Sequence, residues 1–482
     1  MPITDSLAGF DDYIETEIRN YQVPGLAVAI LHKGDILHMK GYGLRDVAQN
    51  LPVTPETLFA IGSCSKAFTA MDTALLVEEG RLDWDAPIRR YLPEFRLKDT
   101  TASEQLTTRD LLCHRSGLPR HDYVWHASSL SRHEMFERLR YLEPNKPLRS
   151  LYQYNNLLLM TVGYLVGQIT GTTWEDFTQQ RILGPLGMGS TNFSVKDMQG
   201  NASLPYAVRD HEVTKIAYRN LDAIAPAGAI NSNLVDMVKW LKMHMARGKY
   251  DGGQFVREDL LTEMHTQQMV MPLVPDMPGY GYTEIERVCY ALGWRIQTYR
   301  GHTLVWHTGG IDGFITMTSF MPNDDFGVLV FSNRSNTFLP ITITMNIYDR
   351  LFGLDVIPWS KRLKEKEDET EMELRAEAGK RAAARKPNAP TSHPMDDYVG
   401  DYRHPAYQTL TISREGDGLK ATRNGIGYTL THYHYDTFEV ENQNIGISFL
   451  SSFANDDQGN VHTFTMHYEP TVAPIVFTRV RG

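Results

Sequence analysis

The chain has 482 residues, 42% of them hydrophobic and 22% charged, with 48 Lys and Arg set against 58 Asp and Glu for a net charge of −10. That length exceeds one core and predicts two domains, while the acidic balance gives no support to a nucleic-acid partner or an anionic membrane. Three scattered cysteines, Cys64, Cys113 and Cys289, are too few for a disulfide framework or a zinc site. Residues 1–10 lack a basic, then apolar leader, and no stretch approaches 18 apolar residues, so a cytoplasmic protein is expected.

In chain order, residues 6–20 have the apolar spacing of an amphipathic helix. Gly25 to Leu31 reads as a buried strand, turned by Lys33-Gly34-Asp35 into a hairpin partner from Ile36 to Tyr42. A helix is predicted from Ser63 to Glu79, ended by Gly80. Residues 100–270 are mainly helical with long loops, the clearest helix carrying Leu157, Leu158, Leu159, Val162, Leu165 and Val166. Strands return at His302 to His307, Phe314 to Phe320 and Phe326 to Phe331, before a helix near 338–352. An antiparallel sheet built from both ends of the first 355 residues, with a helical insertion between, is the economical α/β (α+β) arrangement. Residues 361–386 are almost all charged or Ala and predict a solvated helix or linker, broken by Pro387, Pro390 and Pro394. Short alternating runs beyond it predict a small all-β barrel. The expected units are thus 1–357, a connecting segment 358–394, and 395–482.

The most informative stretch is Ile61-Gly62-Ser63-Cys64-Ser65-Lys66. Positions three apart share a helix face, so the Ser63 hydroxyl and Lys66 amine can meet at a helix start, where the macrodipole favours a neutral amine and a developing oxyanion. Two further segments fit. Tyr154-Asn155-Asn156 opens the apolar helix with a phenol that can relay a proton and an amide that can hold a lysine or a substrate carbonyl. In His307-Thr308-Gly309-Gly310 small residues admit a substrate beside a strand edge, and the Gly310 amide can donate to an oxyanion.

In this order and spacing the three segments resemble the serine β-lactamase and penicillin-binding-protein superfamily, in its class C β-lactamase-like branch of esterases and peptidases. Pro24 to Ile30, Leu112 to Pro119, Leu292-Gly293-Trp294 and Gly309 to Phe314 agree, so the resemblance spans roughly residues 10–350. It implies that Ser63 forms an acyl-enzyme, that Lys66 and Tyr154 share the base role, and that Asn156 orients Lys66 and substrate. The amides of Ser63 and Gly310 would form the oxyanion hole. Which of Lys66 and Tyr154 is the acylation base stays open, since the two titrate as a pair. Where the β-lactamases of this superfamily have Lys-Thr-Gly, this chain has His307-Thr308-Gly309, which weakens the cation facing a substrate carboxylate. Esters, amides or D-amino-acid peptides are therefore expected in preference to β-lactams. The C-terminal segment, through Thr431 to Phe438, resembles the lipocalin-like extension of some relatives. No metal or organic cofactor is expected, the partner is a small-molecule or short-peptide substrate, and self-association is left open.

Competing readings are Cys64 as nucleophile, disfavoured because its side chain points about 100° round the helix from Lys66, and His432 with His434 as metal ligands lacking a third. His114 and His121 read as loop and packing residues near the cleft. Trp125, Tyr280, Tyr282 and Trp294 are candidates for an acyl pocket or for core. Asp122 and Asp312 are candidates for the acid that binding of a substrate amine would require. The different-class alternative is a binding or assembly scaffold that performs no chemistry.

Overall fold

The apolar run that begins at Gly25 is buried on both faces in the computed structural model, which describes residues 5–209, 211–272, 281–442 and 447–480. It forms β1 (Gly25–His32), and Lys33 and Gly34, both with positive φ, turn it into β2 (Asp35–Asp46). The remaining strands of the sheet are β3 (Leu51–Pro52), β4 (Met269–Val270), β5 (Ile285–Tyr290), β6 (Arg295–Tyr299), β7 (His302–Ile311), β8 (Phe314–Met321) and β9 (Phe326–Ser332). Among the described residues this is one antiparallel sheet in the order β4-β5-β6-β7-β8-β9-β1-β2-β3. The pairing of β1 with β9, in the interior of the sheet, joins the two ends of the first 355 residues, as the sequence predicts.

Both faces are covered. On β8 successive side chains point to opposite sides. Ser319 meets the Tyr348 hydroxyl of helix α5 (Leu339–Leu351) at 3.0 Å, and Phe320 packs against His244 of α4 (Leu234–Met245). The insertion supplies α2 (Lys66–Glu78) and α3 (Asn156–Thr170), whose side chains are mostly buried. Two expectations change in detail. The helix read over 6–20 is broken at Gly9, whose φ of 68° cannot continue it, leaving a 3₁₀ turn at Asp5–Leu7 and α1 (Phe10–Asn20). Strand β7 runs on through Gly310 to Ile311, so His307-Thr308-Gly309-Gly310 is strand edge with β8 beside it.

The charged segment is a single helix, α6 (Trp359–Ala384), anchored at its first turns by buried Trp359 and Leu363 and solvated thereafter. It leads to β10 (Gly400–His404), β11 (Gln408–Glu415), β12 (Gly418–Arg423), β13 (Ile426–His434), β14 (Thr437–Asn442), β15 (Ile447–Asn455), β16 (Val461–Met466) and β17 (Ile475–Arg479). These close into an antiparallel barrel through the β10–β17 pair, filled by inward residues such as Tyr402, Leu410, Leu419, Tyr428, Phe464 and Phe477.

Two glycines bring the serine turn against the sheet. A Cβ on Gly309 would lie 1.7 Å from the Ile61 carbonyl oxygen, and one on Gly62, whose φ is 52°, would lie 2.9 Å from the Gly310 nitrogen. Both clashes are with main chain, which cannot rotate away. Gly309→Ala is accordingly expected to lower stability in urea unfolding by about 2 kcal/mol or more. Gly189→Ala, where an added Cβ meets nothing within 4 Å, should stay close to wild type.

Candidate active site

Ser63 lies in a 3₁₀ turn, Gly62–Ser65, that runs straight into α2. The turn is fixed from behind. Ser65 Oγ donates to the Gly62 carbonyl at 2.7 Å and accepts from Ile230 N at 3.1 Å, and Thr316 Oγ1 donates to the Ile61 carbonyl at 2.9 Å. Cys64 points the other way. Its thiol is buried, faces the His307 carbonyl at 3.4 Å, and has its pKa raised by burial, so it is not poised as a thiolate.

Lys66 is wholly buried, and its Nζ has three neighbours: Ser63 Oγ at 3.0 Å, Asn156 Oδ1 at 2.9 Å and the Ala227 carbonyl at 2.6 Å. Burial pushes its pKa well below the usual lysine value, and the Arg120 and Arg295 cations push the same way, against Asp122 and Cys64. The neighbours suit the neutral amine. Two N–H groups serve the two carbonyl oxygens, and the lone pair is left for the proton of the Ser63 hydroxyl.

Tyr154 stands beside this pair, with Lys66 Nζ 4.7 Å from its ring centroid and its hydroxyl toward Ser63. Burial raises its pKa, so it carries its proton through the neutral range. Asn155 caps α3 by accepting from Leu158 N at 2.9 Å, which sets Asn156 on the first turn facing Lys66. The other side of the Asn156 amide donates to Asp122 Oδ1 at 3.0 Å, and Asp122 Oδ2 accepts from Arg120 Nε at 2.6 Å. Arg120 in turn lies 5.0 Å above the Tyr154 ring. Lys66, Asn156, Asp122, Arg120 and Tyr154 therefore form a closed ring of contacts. His114 supports it from below: its ring centroid lies 4.4 Å from that of Tyr154, tilted by 40°, and its Nδ1 accepts from Asn155 N at 3.1 Å.

His307 is buried beneath the strand edge. Its Nδ1 donates to the Thr308 carbonyl at 2.6 Å, so Nε2 accepts from the Tyr290 hydroxyl at 2.8 Å. Burial, with Arg295 and Lys66 nearby, holds its pKa well below the usual histidine value. It is a neutral ring in this site. Gly310 is exposed at the edge of β7, next to the turn that carries Ser63.

All six residues singled out from the sequence, Ser63, Lys66, Tyr154, Asn156, His307 and Gly310, thus come together around one cleft edge. Sequence reasoning missed the Ala227 carbonyl and Tyr290, and gave Asp122 and Arg120 no place in this ring. A main-chain acceptor leaves no mark in a sequence, whereas Arg120 and Asp122 directly follow the Leu112 to Pro119 segment, which was the available signal. The other acid candidate, Asp312, is paired with Arg219. Trp125 donates to Asp122 Oδ1 at 2.8 Å and belongs to the cleft rim. Trp294 packs with His244 and Phe320 in the core, Tyr282 packs on Trp359 of α6, and Tyr280 lies outside the described residues. His432 meets the Tyr435 carbonyl and His434 accepts from Lys386 N. Among the described residues no group of three His, Cys, Asp or Glu could hold a metal ion.

The barrel grips the loop that carries Arg120 and Asp122. His121 N donates to Glu469 Oε2 at 3.0 Å, His121 Nδ1 meets the Tyr407 hydroxyl at 2.7 Å, and Tyr123 stacks on Tyr468 with centroids 4.3 Å apart.

A serine hydroxyl beside a buried lysine amine, set against the edge of an antiparallel sheet, defines a protein of the serine hydrolase superfamily. Residues 10–347 match the family described as beta-lactamase, and the chain belongs to that family. Residues 384–479 match a family described only as a domain of unknown function, DUF3471. An unguisins hydrolase of Aspergillus campestris is 31% identical over 440 residues, 84% of this chain and 77% of that protein. The octameric penicillin-binding protein homologue from Pyrococcus abyssi superposes with a TM-score of 0.64 at 21% identity, over 98% of this chain and 99% of that one. A D-amino acid amidase from Ochrobactrum anthropi SV3 superposes with a TM-score of 0.60 at 22% identity, over 72% of this chain and 98% of its own. Among the described residues no helix is long and apolar enough to cross a membrane.

The electrostatics fix a pH dependence. If neutral Lys66 is the working form, kcat/KM rises as the amine loses its proton and levels off well below the ordinary lysine range. Arg120→Gln removes a cation and unpairs Asp122; both changes favour the ammonium, so the acid limb should move to higher pH. A pH–rate profile of the two proteins measures this, and a limb that stays in place would contradict the charge assignment.

Proposed function

We propose that this protein is a hydrolase that forms an acyl-enzyme at Ser63 from esters, amides or D-amino-acid-containing peptides, with weak or no β-lactam hydrolysis. The observation that carries the reading is Lys66, buried, with its pKa pushed well below the usual lysine value, and 3.0 Å from Ser63 Oγ. In this mechanism Lys66 takes the hydroxyl proton as Ser63 Oγ attacks the acyl carbon. The opposed pKa directions favour Lys66 over Tyr154 as that base, because a phenol that keeps its proton is better placed to relay one to the leaving group. The amides of Ser63 and Gly310 take the oxyanion, and Asn156 holds Lys66 with one N–H left for substrate. Water then releases the acyl group by the reverse sequence.

Substrate class rests on His307. A buried neutral ring bonded to Tyr290 and its own strand supplies no cation where a β-lactam carboxylate would lie. The name of the Aspergillus relative is in line with a hydrolase, and that of the D-amino acid amidase with amide substrates. We assign the hydrolase to residues 1–357, joined through 358–394 to the barrel of 395–482. Three buried, unpaired cysteines suit a reducing compartment, and we place the protein in the cytoplasm.

The test is hydrolysis of p-nitrophenyl acetate and butyrate, D- and L-alanine p-nitroanilide and nitrocefin by wild type and Ser63→Ala. Ester or D-anilide turnover that falls by at least about 10³-fold in Ser63→Ala is expected, with the acyl group found on Ser63 by mass spectrometry of quenched enzyme. Nitrocefin as the dominant substrate would restore the β-lactamase reading. Absence of Ser63-dependent turnover and of fluorophosphonate labelling would favour the binding scaffold.

A further inference from the structure

Arg423 carries into the barrel a charge that the fold does not answer. It ends β12, shares the inward side with Leu419 and Ala421, and is 1% exposed. Its Nη1 donates to the Tyr407 carbonyl at 3.3 Å, and its guanidinium carbon lies 5.0 Å from the Tyr468 ring centroid. Among the described residues its Nε and Nη2 have no hydrogen-bond partner, and no carboxylate pairs with it. Glu469, next in the chain to Tyr468, spends one oxygen on His121 N and the other on Thr471. Arginine keeps its proton even here, so the barrel holds a cation with no counter-charge in contact.

Two phenols complete the surroundings. Tyr428 points inward from β13 and Tyr468 follows β16, with ring centroids 6.3 Å apart. Both hydroxyls are buried without a partner among the described residues, and that of Tyr468 neighbours Arg423 and Tyr428. Guanidinium N–H and phenol O–H groups can all donate to one acceptor placed between them. A water molecule would accept from two of them and leave the charge unmet, whereas an anion meets both needs. The three side chains are at most 3% exposed, which shuts out an organic acid and selects a monatomic ion.

We propose that Arg423, Tyr428 and Tyr468 form a chloride site in the barrel, and that the bound ion steadies the barrel against the cleft loop. The link runs through the two residues that Arg423 touches. Tyr407 accepts from Arg423 at its carbonyl and meets His121 Nδ1 at its hydroxyl, 2.7 Å away. Tyr468, beneath the guanidinium, stacks on Tyr123 with centroids 4.3 Å apart. His121 and Tyr123 flank Asp122, which holds the Asn156 amide. An ion that fixes Arg423 therefore fixes both tyrosines, and with them the backbone on either side of Asp122. No bond is made or broken, and the site does not depend on the acyl-transfer reading of Ser63.

Bromide is the probe, added to the full-length protein as its sodium salt in place of sodium gluconate at constant ionic strength. The thermal midpoint of wild type should rise with bromide and saturate, by about 2 °C or more once the site is full. Arg423→Met should lose that response, while Arg414→Met, on the outer face of the barrel, should keep it. Tyr428→Phe and Tyr468→Phe retain the cation and should need about 10-fold more bromide, the worth of one hydrogen bond to a charged group. In crystals, anomalous scattering should place bromide between Arg423 and Tyr428. Hydrogen exchange over residues 118–126 should slow with bromide in wild type and not in Arg423→Met. Equal responses of the two proteins in thermal midpoint would be a general salt effect and overturn the site, as would the lack of a bromide peak at Arg423. A peak with unchanged exchange over 118–126 is an adventitious ion only and overturns the steadying role. If Arg423→Met fails to fold, the phenylalanine variants decide: a bromide response matching wild type removes the site.

Discussion

A lysine amine with no access to solvent holds this site together. Moving a charge into such a place costs several kcal/mol unless it is fully compensated, so burial drives the amine toward its neutral form. Once Lys66 is neutral, its two N–H groups and one lone pair decide what can surround it. The Ala227 carbonyl comes from the segment behind α2, Asn156 from the first turn of α3, and Ser63 from the turn just before Lys66. Three parts of the insertion are thus oriented by the valence of one nitrogen.

Of the charges around that amine, Asp122 favours the ammonium, and the two arginines that oppose it keep their protons at any pH the protein meets. Arg120 and Arg295 bias Lys66 toward its neutral form, and Arg295 does the same for His307, without titrating themselves. A lysine in the place of His307 would add a cation whose own charge depended on the same buried surroundings. Exchanging it for a neutral ring bonded to Tyr290 removes that coupling, and leaves polarity at this end of the cleft to groups on the loop.

Much of this was legible because it is local or periodic. A three-residue spacing at a helix start places an amine beside a hydroxyl whatever the rest of the chain does, and apolar runs marked β1, β2, β7, β8 and β9, while Ile285–Tyr290 and Arg295–Tyr299 were not read as strands. Ala227, Tyr290 and the part Asp122 plays in the ring were opaque for the opposite reason. They reach the site through tertiary packing, Ala227 from 161 positions away and by a main-chain oxygen that every residue possesses. Aromatic residues misled in the same way. Nothing local distinguishes Trp294, which fills the core, from Trp125, which rims the cleft. The break at Gly9 escaped the apolar spacing because it is set by one backbone angle and not by any side chain.

The grip of the barrel on His121 spans 286 and 348 positions of sequence. While the chain is still on the ribosome, everything that performs chemistry has emerged long before Tyr407 and Glu469 exist. The loop bearing Arg120 and Asp122 then lacks its outer wall, and the ring that ends at Lys66 lacks its anchor. The final geometry of that loop is therefore set last, by the closing strands of the barrel, so the order of synthesis places the shaping of the cleft after the making of the sheet.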